Sequence, residues 1–353
     1  MSSDEPSPVD PVDPVDPVVV PRVGPKQFLG FGVGVVLFVL VLRYLAPDWD
    51  ALRASVSFDL RYAALGLLGT TLASFVTAAR WRLLAEVMGG TKLGFATYFY
   101  ALVMTRVLGQ FLPTVVVDLA GRGMALRSAG SKRGLGHAAT QVVLERMFDG
   151  LLPIVLLLWA LSVRQQWLPL APVASLVGFC LGFLLFAIPF LRPGVRVALR
   201  LYLWAQVRLR PRRRAQVEAD ADAELAETPA VDAKLASKVA LLSLARYATV
   251  MLQFWGIARA IGVPIAWDQM VAAASIAQLA GLLSLTPGGL GILEAGWAGG
   301  LGWVGLGPEP ISLFVLAQRL GIISFFSVLT ALSWPFANHQ KRKLQALEAQ
   351  QHV

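Results

Sequence analysis

Two adjacent pairs of polar side chains interrupt strongly apolar stretches of the sequence. They are Glu145-Arg146 and Gln318-Arg319. An ionisable residue inside a membrane span costs roughly 2.5–3.5 kcal/mol on insertion, so such a residue is usually paired or functional. Because the planar guanidinium of arginine stays charged and binds phosphate oxygens through two parallel hydrogen bonds, Arg146 and Arg319 predict a pair of fixed cations that bind a phosphate group.

Acidic residues near both pairs leave two interpretations open. Asp118 stands four residues before Arg122, so the two share one helix face, and Glu294 precedes Arg319. In one interpretation Arg146 pairs with Glu294, or Arg319 with Asp118, and the ion pairs only hold two parts of the fold together. In the other, the acids offset the arginines or bind a cationic group of a ligand. The two roles are compatible.

A helix-breaking motif precedes each polar pair. One is Pro113, and the other is the run Pro287-Gly288-Gly289-Leu290-Gly291. Glycines free backbone amides and allow close approach of a ligand, and the half-helix that follows begins with partial positive charge. The breaks therefore predict hinges and an anion site. A tightly packed turn that binds nothing is the alternative.

The spacing between break and arginine is nearly the same in both halves of the chain. It is 33 positions from Pro113 to Arg146 and 32 positions from Pro287 to Arg319. This similarity predicts an internal duplication. Paired broken segments in corresponding halves are typical of transporters built from two repeats, which bind their substrate where the breaks meet.

Composition excludes a soluble protein. Of the 353 residues, 56% are hydrophobic and only 15% are charged, against about 25% charged residues in typical soluble domains. Apolar runs of about 20 residues predict membrane helices, and the alternating ten-residue segments of a membrane barrel are absent. We therefore predict an all-α polytopic membrane protein.

The net charge of +9 does not predict nucleic-acid binding. The basic residues cluster beside the apolar runs, as they do in the cytoplasmic loops of membrane proteins. The single cysteine, Cys180, and three histidines without ligand spacing argue against a disulfide or a metal site. No cofactor is expected.

The apolar runs and basic loops together predict a topology. Placing basic loops such as Arg80–Lys92 in the cytoplasm puts both termini there as well, in a bacterial inner membrane. The broken segments Thr97–Arg122 and Trp267–Gly307 then re-enter from opposite faces, so the duplication is an inverted repeat. The six full spans are Phe28–Leu45, Tyr62–Ala79, His137–Val163, Leu168–Leu191, Lys238–Ile261 and Ile311–Trp334.

The same pattern divides the chain into five regions. Residues 1–25 are an acidic, Pro-rich tail predicted to be disordered. Residues 26–191 and 237–336 are the two membrane repeats. Between them, 192–236 is a charged cytoplasmic loop with an interfacial amphipathic helix, and 337–353 is a basic cytoplasmic tail.

Arg246 and several tryptophans have mainly structural interpretations. Arg246 lies in an apolar segment and is a weaker ligand candidate, because such residues more often bond a neighbouring helix. Tryptophans near predicted span ends, among them Trp159 and Trp297, are predicted to anchor the protein in aromatic belts.

The motif from Pro287 to Glu294, together with Asp118, Arg122 and Glu145-Arg146, resembles the transmembrane region of lysylphosphatidylglycerol synthases. The likeness covers roughly Gly30 to Lys343. In that family the membrane domain is associated with moving aminoacylated phospholipid between leaflets, and a separate soluble domain transfers the amino acid. Only a short tail follows the last predicted span here, so the resemblance implies lipid translocation without lysyl transfer.

The leading hypothesis is a lipid flippase or head-group transporter. Its substrate would be an anionic or amino-modified phospholipid, or an isoprenoid or glycolipid, since standalone relatives are linked to varied lipids. One alternative is an intramembrane transferase with Glu145 or Glu294 as general base, but acids beside arginines stay ionised and weakly basic. Another is a scaffold for a glycosyltransferase or lipid-modifying enzyme. We do not predict an enzyme.

Overall fold

The computed structural model of the chain describes residues 57–89, 93–112, 117–118, 120–124, 134–167, 174–189, 233–282 and 286–351, with scattered residues between 32 and 43 and at 193 and 197. Every regular element in these ranges is helical, which confirms the all-α prediction for this part of the chain. The helices are α1 (Leu60–Gly89), α2 (Phe95–Leu108), α3 (Gly134–Arg164), α4 (Ala174–Pro189), α5 (Ala233–Ala260), α6 (Trp267–Leu282), α7 (Ile292–Trp303) and α8 (Pro308–Gln351).

Four helices within the described residues, α1, α3, α5 and α8, are long and apolar enough to span a membrane. They coincide with four of the predicted spans. The predicted span Leu168–Leu191 contains α4, which is shorter. Half of the residues of the span Phe28–Leu45 lie outside the described part of the chain, as do the tail 1–25, nearly all of the loop 192–236 and Pro113. Six spans therefore stay a prediction.

The second broken segment forms a tight helical hairpin. Helices α6 and α7 have 16 and 12 residues, or about 24 and 18 Å at 1.5 Å per residue, which is less than the ~30 Å core of a bilayer. They run antiparallel, because Gly296 lies against Ala277 and Gly300 against Ala273. A Cβ at either glycine would come within 2.6 Å of the facing helix.

One face of the half-helix α7 is buried in the protein. Its Trp297 is fully buried and packs between Phe254 of α5 and Phe314 of α8, with ring centroids 4.7 and 4.8 Å away. Backbone that re-enters a membrane is tolerated where it packs against protein. The predicted belt role is therefore wrong for Trp297, and also for Trp159, which is buried.

Helices α1 and α5 touch through their main chains. A Cβ on Gly69 would lie 2.5 Å from the backbone nitrogen of Gln253, and one on Gly256 would lie 2.6 Å from that of Gly66. These matched positions show that the two helices are antiparallel. Each helix precedes the broken segment of its half, and an inverted repeat requires this orientation of equivalent helices.

We expect Gly69→Ala to destabilise the protein. The added methyl group meets rigid backbone, so the helices must separate, at a cost of about 1–3 kcal/mol in the free energy of unfolding. Thermal unfolding of purified protein in detergent measures the change. Gly178→Ala in α4 is the matched control, because its Cβ meets nothing within 4 Å. Equal melting temperatures for the two variants would contradict the close contact.

Candidate functional site

A buried network of ion pairs centres on Asp149 of α3. Arg80 of α1 donates two hydrogen bonds to its carboxylate. Nη1 donates to Oδ1 at 2.9 Å, and Nη2 donates to Oδ2 at 3.3 Å. Arg246 of α5 donates to the same Oδ1 at 3.0 Å, and Arg80 also donates to the hydroxyl of Ser243 at 3.0 Å. Three helices from both halves of the chain are thus tied to one carboxylate.

Glu145 lies one helical turn before Asp149 and belongs to the same network. Its Oε2 accepts from Nη2 of Arg122 at 2.6 Å and lies 3.6 Å from Nη2 of Arg80. The guanidinium of Arg122 also stacks 5.0 Å from the ring centroid of Trp81. Both Glu145 and Arg122 are 4% exposed, so the structure places this predicted ligand pair in the interior, bonded to each other.

Asp118 forms ion pairs with two arginines that are more open. Nη2 of Arg146 lies 2.9 Å from Oδ2 of Asp118, and Nη1 of Arg106 lies 3.9 Å from the same oxygen. The side chain of Asp118 is 2% exposed, whereas those of Arg146 and Arg106 are 32% and 22% exposed. A buried acid therefore holds two guanidinium groups side by side, with parts of both facing outward.

Taken together, the contacts around Asp149 and those around Asp118 contain more positive than negative charge. Counted over the described residues, five arginines face three acids, which leaves a surplus of two positive charges. The acids are among the more buried members, and Arg106, Arg146 and Arg246 are partly exposed. Such an arrangement can bind an anionic group, because fixed, partly open guanidinium groups match phosphate oxygens.

Arg319 lies in a second, separate set of contacts. Its Nε donates to Oε1 of Glu294 at 3.0 Å, and its Nη2 bonds the same oxygen. Its Nη1 donates to Oε1 of Gln110 at 2.8 Å and to the carbonyl of Gly288 at 2.9 Å. The other oxygen of Glu294 accepts from the amide of Gly291 at 2.6 Å and caps α7. All three nitrogens of the Arg319 guanidinium therefore have hydrogen-bond partners.

The turn that follows α2 meets the second break at this second set of contacts. Gly288 has a φ of 59°, and a Cβ there would lie 2.7 Å from the carbonyl oxygen of Gln110, in the turn that follows α2. Gln110 also donates to the carbonyl of Arg106 at 3.3 Å. The uncharged side chain of Gln110 thus contacts both Arg319 and the backbone of Arg106.

The predicted cross pairs are wrong. Arg146 pairs with Asp118, and Arg319 pairs with Glu294, so each arginine bonds the acid of its own half. The physical reason is that the segment that carries each acid packs against the long helix of its own half, which places the acid next to the arginine of that helix. Within the described residues, no ion pair joins Arg146 or Asp118 to Arg319 or Glu294.

Gln318 is fully buried beside Arg319, and neither end of its amide has a hydrogen-bond partner among the described residues. The indole nitrogen of Trp297 is likewise without one there. Gly289 lies in the 3₁₀ turn that begins at Pro287, with a φ of 71°. These predicted residues shape the break and its surroundings, and they are separate from the network around Asp149.

Sequence reasoning missed four members of the site: Arg80, Arg106, Gln110 and Asp149. Arg80 was assigned to the predicted loop Arg80–Lys92, but α1 continues to Gly89 and the side chain is fully buried. Asp149 carried a usable signal, since it is an acid inside the same apolar run as Glu145 and Arg146. The sequence signal for Arg106 and Gln110 was weaker and consisted only of their position shortly before Pro113.

Comparison with known protein families shows to which family the chain belongs. The profile of the family described as the lysylphosphatidylglycerol synthase TM region matches residues 27–331. No curated protein matches the chain. The matched residues include every ion pair described above and both breaks, and they make up most of the 353 residues. The chain therefore belongs to the lysylphosphatidylglycerol synthase transmembrane-region family, as its Pro-Gly-Gly motif predicts.

Proposed function

We propose that this protein moves a lipid with a phosphate-containing head group from one leaflet of a membrane to the other. The observation that supports this most directly is the surplus of arginine charge around Asp118 and Asp149, with Arg106, Arg146 and Arg246 partly exposed. A lipid phosphate supplies the missing negative charge. Helices long enough to span a membrane support a ligand that arrives from the bilayer.

The acids have a positioning role in this proposal. Asp118 fixes Arg106 and Arg146, and Asp149 fixes Arg246. Because these guanidinium groups are already held in place, little side-chain entropy is lost when a phosphate binds. Buried carboxylates thus raise the affinity of the arginines for an anion although they carry the same sign of charge as the ligand.

Transport also needs a way to expose the site to each leaflet in turn. We propose that the two halves form an inverted repeat, with the basic loops and both termini on the cytoplasmic side of an inner membrane. The antiparallel contact of α1 and α5 supports this arrangement. The breaks at Pro113 and Pro287 would act as hinges, because proline lacks the backbone N–H that a continuous helix requires.

We propose no covalent chemistry at the acids. Glu145 bonds Arg122, and Glu294 bonds Arg319 and a backbone amide. Both carboxylates are buried, whereas a general base must come within hydrogen-bond reach of the proton that it removes from a substrate. This argues against the transferase alternative for both residues that sequence reasoning considered.

Leaflet exchange of fluorescent lipids in proteoliposomes tests the proposal. We expect wild-type protein to exchange lipids with phosphate head groups, and Arg146→Gln and Arg246→Gln to slow exchange by about tenfold or more, since each removes a charged hydrogen bond to phosphate. Neutral diacylglycerol is the lipid control. An exchange rate in both variants equal to that of wild type would overturn the proposal.

Arg82→Gln is the matched protein control for these variants. Arg82 lies on α1 two residues after Arg80, but its side chain is 44% exposed and pairs with Glu86 on the same helix at 2.7 Å. Its loss should leave exchange unchanged. Loss of exchange in Arg82→Gln as well would assign the effect to general charge removal.

A further inference from the structure

A cavity lies at the far end of α3, away from the arginine network. It has a volume of about 290 Å³, and it is lined by the end of α3, the start of α6 and the end of α7. Its charged lining residues are Arg164 and Asp268. From Asp149 to Arg164 is 15 residues, or roughly 22 Å along the helix, so this cavity is distinct from the proposed phosphate site.

The arginine of this cavity is fixed in position. Its Nη1 donates to the carbonyl oxygen of Trp303, and its guanidinium stacks 4.6 Å from the centroid of the Trp303 ring. One hydrogen bond leaves most of its N–H groups without a partner among the described residues. Arg164 is exposed, so these groups are available to an anion.

The carboxylate of the cavity has no partner of its own within the described residues. Asp268 lies in the first turn of α6 and is exposed. No ion pair of 4 Å or less joins it to Arg164, although both line the same cavity. Next to it, Gln269 accepts from the amide of Ala266 at 3.0 Å through Oε1, which directs that oxygen away and leaves the NH₂ group free to donate.

We propose that this cavity binds a zwitterionic group, with an anion on Arg164 and an ammonium on Asp268. Opposite charges that share a cavity without pairing are both satisfied by a ligand that carries both charges, and a phosphate linked to an ethanolamine ammonium is such a group. Two exposed tryptophans are close to these charged residues in sequence: Trp167 lies three residues after Arg164, Trp267 directly precedes Asp268, and they are 67% and 39% exposed. Tryptophan is enriched at the membrane surface, where phospholipid head groups lie.

Titration calorimetry on the purified full chain in detergent tests this site. The probes are dihexanoyl-phosphatidylethanolamine, dihexanoyl-phosphatidylglycerol and soluble glycerophosphoethanolamine. We expect the ethanolamine lipid to bind more tightly than the glycerol lipid. Asp268→Asn should weaken binding of the ethanolamine lipid by about tenfold and leave the glycerol lipid unchanged, because only the ammonium contact is lost.

Arg164→Gln should weaken both lipids by about tenfold. Two variants serve as matched controls and should change neither affinity. Arg259→Gln removes another arginine that stacks on an aromatic ring, 5.4 Å from that of Tyr62. Glu309→Gln removes another exposed acid in the first turn of a helix.

The soluble probe distinguishes a lipid from a free ligand. Equal affinity for glycerophosphoethanolamine and its lipid supports a site that recognises the head group alone, and much weaker binding of the soluble compound supports a lipid site. Wild-type protein that does not prefer the ethanolamine lipid, or an Asp268→Asn variant that retains the preference, would overturn the proposal. Asp268 is exposed and unpaired in the described structure, so its replacement should not impair folding.

Discussion

Asp149→Asn is expected to lower the free energy of unfolding by about 3–5 kcal/mol, the usual cost of removing one partner from a buried ion pair. Arg80 is fully buried and would lose the charge that its two guanidinium nitrogens bind at 2.9 and 3.3 Å. Arg246 would lose its bond of 3.0 Å. Chemical unfolding in detergent, followed by tryptophan fluorescence, measures the change.

The matched control is Glu86→Gln. Glu86 also pairs with an arginine, but the pair with Arg82 lies on the surface of α1 and should contribute less than about 1 kcal/mol. Unfolding of both variants at the same denaturant concentration would contradict a structural role for the network. A double-mutant cycle with Arg80→Gln and Asp149→Asn should give a coupling energy of about 0.5–3 kcal/mol.

Glu294→Gln is expected to have a comparable effect on stability, about 3–5 kcal/mol. Glu294 is fully buried, caps the amide of Gly291 and carries the charge that Arg319 binds. Because Arg319 also bonds Gln110 and the carbonyl of Gly288, its release should loosen both breaks. Amide hydrogen exchange should therefore become faster at residues 109–112 and 286–291 together.

Glu309→Gln provides the comparison for this second variant. Glu309 also lies in the first turn of a helix, α8, but it is exposed. Its replacement should change neither stability nor exchange at the breaks. Faster exchange at residues 286–291 alone in Glu294→Gln would show that the two breaks are not coupled through Arg319.

The helical class and the position of the second break could be predicted because they depend on local composition. Apolar runs predict α1, α3, α5 and α8, and the run that begins at Pro287 predicts the turn between α6 and α7. Proline removes a backbone donor and glycine lowers helix propensity, so their combination in Pro287-Gly288-Gly289 favours a break, whereas the isolated Pro153 and Pro335 lie inside α3 and α8. No information about neighbouring helices is needed for either prediction.

The partners of the buried charges could not be predicted in the same way. The sequence shows that Arg146 and Arg319 need partners, since an unpaired charge in an apolar span is costly. It does not show which acid each one meets, because that depends on how the helices are rotated and packed. One interpretation of the sequence pairs acids and arginines across the two halves, whereas both halves use the same internal pairing with Asp118 and Glu294.

Arg80 and Gln110 illustrate two further limits. A positive residue at the end of an apolar run is typical of a cytoplasmic loop, so Arg80 did not stand out as a buried residue. Gln110 is uncharged, and its function as a link depends on the close approach of Gly288. A close contact between two main chains requires a glycine, but the glycine in the sequence does not show which residue it contacts.

The glycine contact between α1 and α5 has a mechanical consequence. Two helices whose backbones touch at Gly66 and Gly256, and again at Gly69 and Gln253, cannot slide along each other without steric collision. The remaining freedom is a change in their crossing angle, so the contact is a pivot. Because α1 leads into α2 and α5 leads into α6, rocking about this pivot would move the two broken segments in opposite senses.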